Sequence, residues 1–431
     1  MALKTKWLIS NKGSCSCTMV GVFRAVAFCK GVVVIFHSSK GCAHVANTME
    51  LGSEYRVVAD GGRNDLDSIP LVSSDIREKD SIFGGVGRLR ECISYVMDTY
   101  HPKCVFVVSS CVAGVIGDDI DTEAEEASAS YGIPVIAMPF AGFLGGEYSD
   151  GYYDTVDTII SHFFRKQDHV KGRVLLLGDQ MGPEGQYARE VKRLLSLFGL
   201  DAHWQFPGYV PFEEWKEIPF CSLSVLLGTA GQPGGMVDVA QKLEKEYGIS
   251  TLGDVYPVGW DHTCEWIRAL AQKLGEKEKG EAIIEAEEKR MQERIASYLP
   301  VTKGKKVVVA VGRGPRWYRP IETLTSLSRL HMDVQGVVLF DNLAEKEKQL
   351  LTKQVKDYGP IPVWDAKEGQ AAIDRADICL TTNEMFNTKT KQLFIPMVPL
   401  TGTEGEVAFL RAIYRLLCRY GNKGGIAYVT V

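Results

Sequence analysis

Short β-branched runs alternate along the chain with stretches whose apolar residues recur at helical spacing. The first such run is VVVIF at 32–36, joined by VFVV at 105–108 and VI at 135–136. A second set opens with RVLLLGD at 173–179 and continues at 223–227. A third opens with KVVVAVG at 306–312 and continues at 334–340 and 378–381. Each opening run ends in a glycine or polar loop, and a helical pattern follows it, the signature of parallel α/β units. The pattern predicts three Rossmann-like α/β domains, each a parallel sheet flanked by helices, at 1–168, 169–300 and 301–431. A polar turn at 167–172 marks the first boundary. Residues 275–297 are rich in Glu and Lys, with Ile283, Ile284, Met291 and Ile295 at helical spacing. They predict a solvated connecting helix that closes the second domain.

Composition narrows the function classes. A chain of 431 residues, 45% hydrophobic and 24% charged, is long enough for two or three cores of ordinary globular kind. Its net charge of −5 leaves no basic excess for neutralising phosphates, so no nucleic-acid partner is expected. No apolar run approaches the ~20 residues of a membrane span, so no membrane partner is expected either. Residues 1–11 carry no apolar stretch with a cleavage site, which points to the cytoplasm. There the eleven cysteines stay reduced, and an odd count suggests metal binding or burial instead of disulfides.

In parallel sheets ligands gather beyond the carboxyl ends of the strands, and two cysteines fall there. Cys42 follows the strand at 32–37, and Cys111 follows the strand at 105–109. Cys17 precedes the helical run at 20–28. Small residues surround all three (Ser39, Gly41, Ser110, Gly114, Gly117), which lets backbone N–H groups approach a sulfur-rich ligand. Thiolates in such loops suit iron–sulfur or zinc. Spacing by itself leaves open the plainer reading of a cysteine as a small buried hydrophobe, because no CxxC pair is present. Cys92, Cys104, Cys221, Cys379 and Cys418 lie on apolar faces and read as core, while Cys29 and Cys264 are ambiguous. Gly312-Arg313-Gly314-Pro315 follows a strand but is not GxGxxG, and reads as a strand–helix turn. The glycine-rich 231–235 reads as a loop or a pocket wall. His37 and His44, which flank Cys42, read as buried, satisfied histidines. Asp118 and Asp119 read as stabilisers of a helix start. No GxxxxGK[ST] occurs, so no ATP hydrolysis by the chain itself is expected.

From Cys17 to Asp119 the sequence resembles the nitrogenase component 1 family, most closely its molybdenum–iron beta chain. The matching stretches are Cys17-Thr-Met-Val-Gly21, His37-Ser-Ser-Lys-Gly-Cys42, Glu78 with Ile82-Phe83-Gly84-Gly85, and Ser110-Cys111-Val-Ala-Gly-Val-Ile-Gly117-Asp118-Asp119. The interval of 25 positions from Cys17 to Cys42 also looks like that of the beta chain. Weaker likeness continues through Leu177-Gly-Asp179, Tyr247-Gly-Ile249 and Pro257-Val-Gly259. The resemblance implies that Cys17, Cys42 and Cys111 hold an iron–sulfur cluster, either [8Fe–7S] P-cluster-like or [4Fe–4S], shared with a homologous alpha-type subunit. Cys15, two residues from Cys17, is the nearest competitor. Ser39 and Glu78 match positions beside the cluster and receive no direct role.

Departures from the pattern matter too. Where beta chains have a serine beside the oxidised cluster, the aligned residue is Gly142. The alpha-chain cysteine for the catalytic cofactor would fall near Gln232, and its histidine in the last fifty residues, which contain none. The long N-terminal extension of beta chains is missing. The resemblance then implies a beta-type subunit of a nitrogenase-like, two-component reductase, fed with electrons by an ATP-hydrolysing iron protein. Its alternative is a scaffold on which a nitrogenase-type metallocofactor is assembled. A homodimer bridged by [4Fe–4S] is a third option.

Overall fold

The computed structural model describes residues 5–6, 16–59, 67–180, 182–229, 235–253, 255–315, 318–396, 400–421 and 426–429, with backbone alone at 5–6 and 50–59. Cys15, Gln232 and most of the 231–235 loop lie outside the described residues.

Three parallel sheets flanked by helices form the framework. The first runs in the spatial order Leu71–Ser73, Val32–His37, Cys104–Ser109, Val135–Met138. The second runs Asp201–Phe206, Val170–Leu177, Cys221–Leu226, Ser250–Leu252. The third runs Val363–Asp365, Asp333–Leu339, Lys306–Val311, Ile378–Thr381, Lys391–Phe394, Ile426–Ala427. In all three, the earliest strand in sequence is central, and the chain winds to one side of it and then to the other. A crevice therefore opens beyond the carboxyl end of that strand, beside its later neighbour. In the first sheet this crevice lies between the ends of Val32–His37 and Cys104–Ser109. Every residue of those two strands is buried, because helices cover both faces, and so each reads as a continuous apolar run without alternation.

Helix Thr18–Val26 packs on helix Tyr148–Phe163 through two glycines. A Cβ on Gly21 would lie 2.0 Å from the Tyr148 carbonyl oxygen, and one on Gly151 would lie 2.1 Å from that of Thr18. Only the missing side chains allow the two backbones to come so close.

The Glu/Lys-rich segment forms helix Lys277–Ile295, but it is less solvated than its composition suggests. Ile284, Met291 and Ile295 are buried, and so is Glu287, whose carboxylate takes both Nη atoms of Arg193 at 2.9 and 2.6 Å. The paired charge is what makes that burial tolerable. Among the cysteines read as core, Cys92, Cys104, Cys221 and Cys379 are buried as expected. Cys418 is exposed, because it ends helix Gly402–Cys418 on the outward face. Cys29 and Cys264 are buried, and burial pushes their thiols up to about 12 and about 11.

Candidate metal centre

The chain reaches the first crevice three times, and each time it begins a helix. Cys17 is the N-cap of Thr18–Val26, Cys42 lies in the first turn of Lys40–Ala59, and Cys111 opens Cys111–Ile116. The three thiols are half-buried, and none is in a disulfide. They are close enough for their charges to be felt. Cys17 is raised chiefly by burial and further by the thiols of Cys42 and Cys111, against the backbone N–H groups of Met19 and Val20, which lower it. Helix N-termini and free N–H groups favour thiolate over thiol, and a cation placed among the three would remove their mutual repulsion.

Backbone and hydroxyl bonds tie the three loops together. The segment after Val135–Met138 folds over Cys111, so that Phe143 N–H donates to Cys111 Sγ at 3.2 Å. Thr18, next to Cys17, donates its hydroxyl to the Gly142 carbonyl at 3.0 Å. Ala141 N–H donates to Ser109 Oγ at 2.9 Å, and Ser110 N–H donates to the His37 carbonyl at 3.1 Å. Cys17 also forms a β-bridge with Glu147. Cys42 N–H reaches the Ser39 carbonyl at 3.2 Å.

Gly142 replaces the expected serine for a visible reason. It has φ +56°, and a Cβ there would stand 2.6 Å from Cys111 Sγ and 2.9 Å from its nitrogen. A side chain would occupy the space that the sulfur and its N–H donor require.

Behind the cysteines lies a buried polar relay. His37, fully buried, is hydrogen-bonded through Nε2 to the Asp118 carboxylate at 2.9 Å and through Nδ1 to the Ser74 hydroxyl, also at 2.9 Å. Burial lowers its pKa, while Asp118 and Asp80 oppose the change. The Asp118 carboxylate in turn accepts Gly85 N–H at 2.9 and 3.1 Å. Asp118 therefore ties two loops together, and Asp119 alone caps the helix start, accepting Thr122 N–H at 3.0 Å. His44, expected to be buried, is exposed along the outer side of its helix, as is Glu78 in its loop.

Around the thiols, sequence reasoning missed an apolar rim. Ile82 and Phe83 are 74% and 86% exposed on helix Asp80–Phe83, which packs on Cys111–Ile116. Val112 and Val115 on the latter helix, and Phe143 and Leu144 in the covering loop, are also exposed. Their signal was weak: four of the six lie in loops or single turns, where no period reveals a face. Among the described residues, no three His, Cys, Asp or Glu side chains converge as ligands of a single metal ion. One tetrahedral ion would need sulfurs about 3.8 Å apart, from metal–sulfur bonds of about 2.3 Å.

Residues 17–417 match the model of the family described as nitrogenase component 1 type oxidoreductase. The chain belongs to that family. Among its relatives is the nitrogenase iron-molybdenum cofactor biosynthesis protein NifE of Clostridium pasteurianum, 29% identical over 68% of this chain and 62% of that protein. Another is the nitrogenase molybdenum-iron protein alpha chain of Methanosarcina barkeri, 25% identical over 71% of this chain and 56% of that protein. The chain thus spans somewhat over half the length of these curated relatives. A solved structure of nitrogenase Cp1 at pH 5 superposes with a TM-score of 0.62 at 19% identity, covering 97% of this chain and 90% of that one. This last likeness establishes the component 1 fold. The two sequence relatives named here are a cofactor biosynthesis protein and an alpha chain, whereas the local motifs suggested a beta chain.

Proposed function

We propose that this component 1 chain is a scaffold subunit for assembling a nitrogenase-type metallocofactor, with an iron–sulfur cluster on Cys17, Cys42 and Cys111 completed by a homologous subunit. The observation that supports the cluster assignment is three half-buried thiols at three helix starts, with Cys17 within electrostatic reach of the other two and Cys111 accepting a backbone N–H. When bound, the cluster supplies a reducible centre whose potential follows from burial, ligand charge and hydrogen bonds to sulfur. The chain's own contributions are separable. The Gly142 loop delivers the Phe143 N–H to Cys111 and leaves room for the sulfur. Gly21 and Gly151 let the Cys17 helix approach closely enough to join the trio.

Three thiolates leave a cubane one ligand short, and the apolar rim lies beside them. Both features support a second subunit at this face. The scaffold reading draws support from relatives named for cofactor biosynthesis. The second reading is a reductase subunit that relays electrons from an ATP-hydrolysing iron protein. It draws support from the alpha-chain relatives. Anaerobic co-purification with a homologous partner separates the two. The scaffold should take up a molybdenum–iron precursor and release it to a cofactor-free acceptor, with no reductase turnover when an iron protein and ATP are added. Turnover of any substrate under those conditions would reject the scaffold assignment.

A further inference from the structure

Helix Gly402–Cys418 packs on the third sheet and carries Arg411 and Arg415 four residues apart, with Arg419 as its C-cap. The three arginines line one open cleft of about 140 Å³, together with Leu393, Leu416 and Ala427. Leu393 and Leu416 are buried, Arg411 is half-buried, and Arg415 and Arg419 are exposed. Tyr428 also lines the cleft, 56% exposed, with its ring 5.2 Å from that of Phe394. Strand Ile426–Ala427, which supplies Ala427, is the last in the spatial order of that sheet.

Other exposed arginines of the chain are matched: Arg77 with Asp75, Arg90 with Glu123, Arg268 with Glu281. None of the three in the cleft has an acid partner among the described residues. A helix C-terminus favours cations through its macrodipole, but that place is taken. Lys391 Nζ donates to the carbonyls of Leu417 and Arg419, at 3.3 and 2.5 Å. In a chain of net charge −5, three unmatched guanidinium groups around an apolar hollow are a local exception. What complements them is a set of carboxylates around one apolar side chain. Arginine and tyrosine are also residues in which binding energy concentrates. The helical rise spreads the three arginines over roughly 12 Å, about four residues of extended chain and too long for a single phosphate. The hollow is close in size to the ~150 Å³ that holds a benzene-sized group.

We propose that this cleft docks an acidic segment of a partner protein, an extended stretch that sets one large apolar side chain into the hollow and Asp or Glu on either side against Arg411, Arg415 and Arg419. The guanidinium forks give the carboxylates paired hydrogen bonds, and the hollow gives the segment its register. The surface rests neither on the cluster nor on the function proposed above.

The test uses the purified full chain and a fluorescein-labelled peptide, Asp-Glu-Asp-Phe-Glu-Asp-Glu, followed by fluorescence anisotropy. Saturable binding is expected, weaker at higher salt because the contacts are ionic. Replacing the peptide's phenylalanine by serine should weaken it about tenfold or more, through loss of the buried ring. Arg415→Glu should weaken it by a similar factor or more, since a like charge then faces the carboxylates. That residue is exposed, so the variant should keep its unfolding midpoint within about 2 °C. Arg375→Glu, an equal charge change at an exposed position outside the cleft, should bind as the wild type does. No saturable binding by the wild type would overturn the proposal, and so would equal binding of the two peptides or equal loss in Arg415→Glu and Arg375→Glu. Displacement of the peptide by tripolyphosphate as readily as by unlabelled peptide would assign the cleft to a small phosphate instead. Self-association of the chain that Arg415→Glu abolishes would assign it to a second copy. Either result also overturns the proposal.

Discussion

Cys111 shows how much a single residue's surroundings decide. Its sulfur accepts a backbone N–H from Phe143 only because Gly142 has no Cβ and adopts a left-handed backbone. Gly142→Ser should therefore not restore an oxygen ligand. It should displace the loop, adding about 1–2 kcal/mol of backbone strain to the steric clash. The check is the visible iron–sulfur absorption of the anaerobic protein, expected to weaken or shift. An unchanged spectrum would mean that the loop does not shape the site. A second residue-scale prediction concerns Glu406, whose burial raises its carboxyl to about 7. Ser326 donates to it at 2.9 Å, Arg329 stands 3.8 Å away with no hydrogen bond, and Asp261 adds like charge. The ion-pair distance suggests a charged pair, but without a hydrogen bond burial prevails. Glu322, a quarter exposed, is raised to about 7 by burial, against Arg319 and with Glu406 adding repulsion; His262 lies 3.8 Å from it. A raised carboxyl favours the folded state while protonated. Stability is therefore greatest below the unfolded pKa near 4.5 and falls as the pH climbs towards about 7, by up to about 3 kcal/mol for Glu406. Denaturant unfolding at pH 5 and 7.5 should show this fall, and Glu406→Gln should flatten it.

At the scale of elements, the three strand–helix sets were legible because buried parallel strands write themselves as unbroken VVVIF- and VFVV-type runs. Cys42 and Cys111 were legible for the same reason, since a strand's end can be read from where such a run stops. What could not be read depends on contacts across the fold. Asp118 looked like a helix cap, but its partners His37 and Gly85 are 81 and 33 positions away. The apolar rim escaped because Phe83 and Phe143 sit on single helical turns. Gly21 was visible as part of a motif, while its purpose, the close approach to Tyr148, is purely tertiary. Gly21→Ala should force the helices Thr18–Val26 and Tyr148–Phe163 apart, at a cost of about 1–3 kcal/mol. Thermal unfolding should show a lower midpoint together with reduced iron content, since Cys17 moves with its helix. A stable variant with full iron would contradict the role given to that glycine.

For the whole molecule, three sheets with the same winding give three crevices, and the chain uses them differently. The first gathers thiols beside an exposed apolar rim, and the third buries Arg313 against the Pro396 carbonyl and the Phe394 ring. No helix among the described residues is long and apolar enough to cross a membrane, so the rim is not part of a helical span. Six large exposed apolar side chains beside the three thiols form a patch of the kind that meets a protein partner, and the proposed second subunit is the partner this account puts there. Phe83→Asp should thus weaken association with the homologous subunit and lower cluster content, while leaving the isolated chain's unfolding midpoint within about 1 °C, as expected for an exposed site. Size-exclusion chromatography of the co-expressed pair reads the first effect. A pair that elutes intact would place the interface elsewhere.

The central claim is the thiolate trio, and metal analysis addresses it most directly. Iron and acid-labile sulfide should be counted per chain in the anaerobically purified complex, for the wild type and for Cys17→Ser, Cys42→Ser, Cys111→Ser and the exposed control Cys418→Ser. Serine offers a harder, more basic ligand of similar volume. The account predicts iron and sulfide in multi-atom amounts in the wild type and in Cys418→Ser, and a loss of most of both in each of the other three. Full iron in Cys17→Ser, Cys42→Ser and Cys111→Ser alike would contradict it.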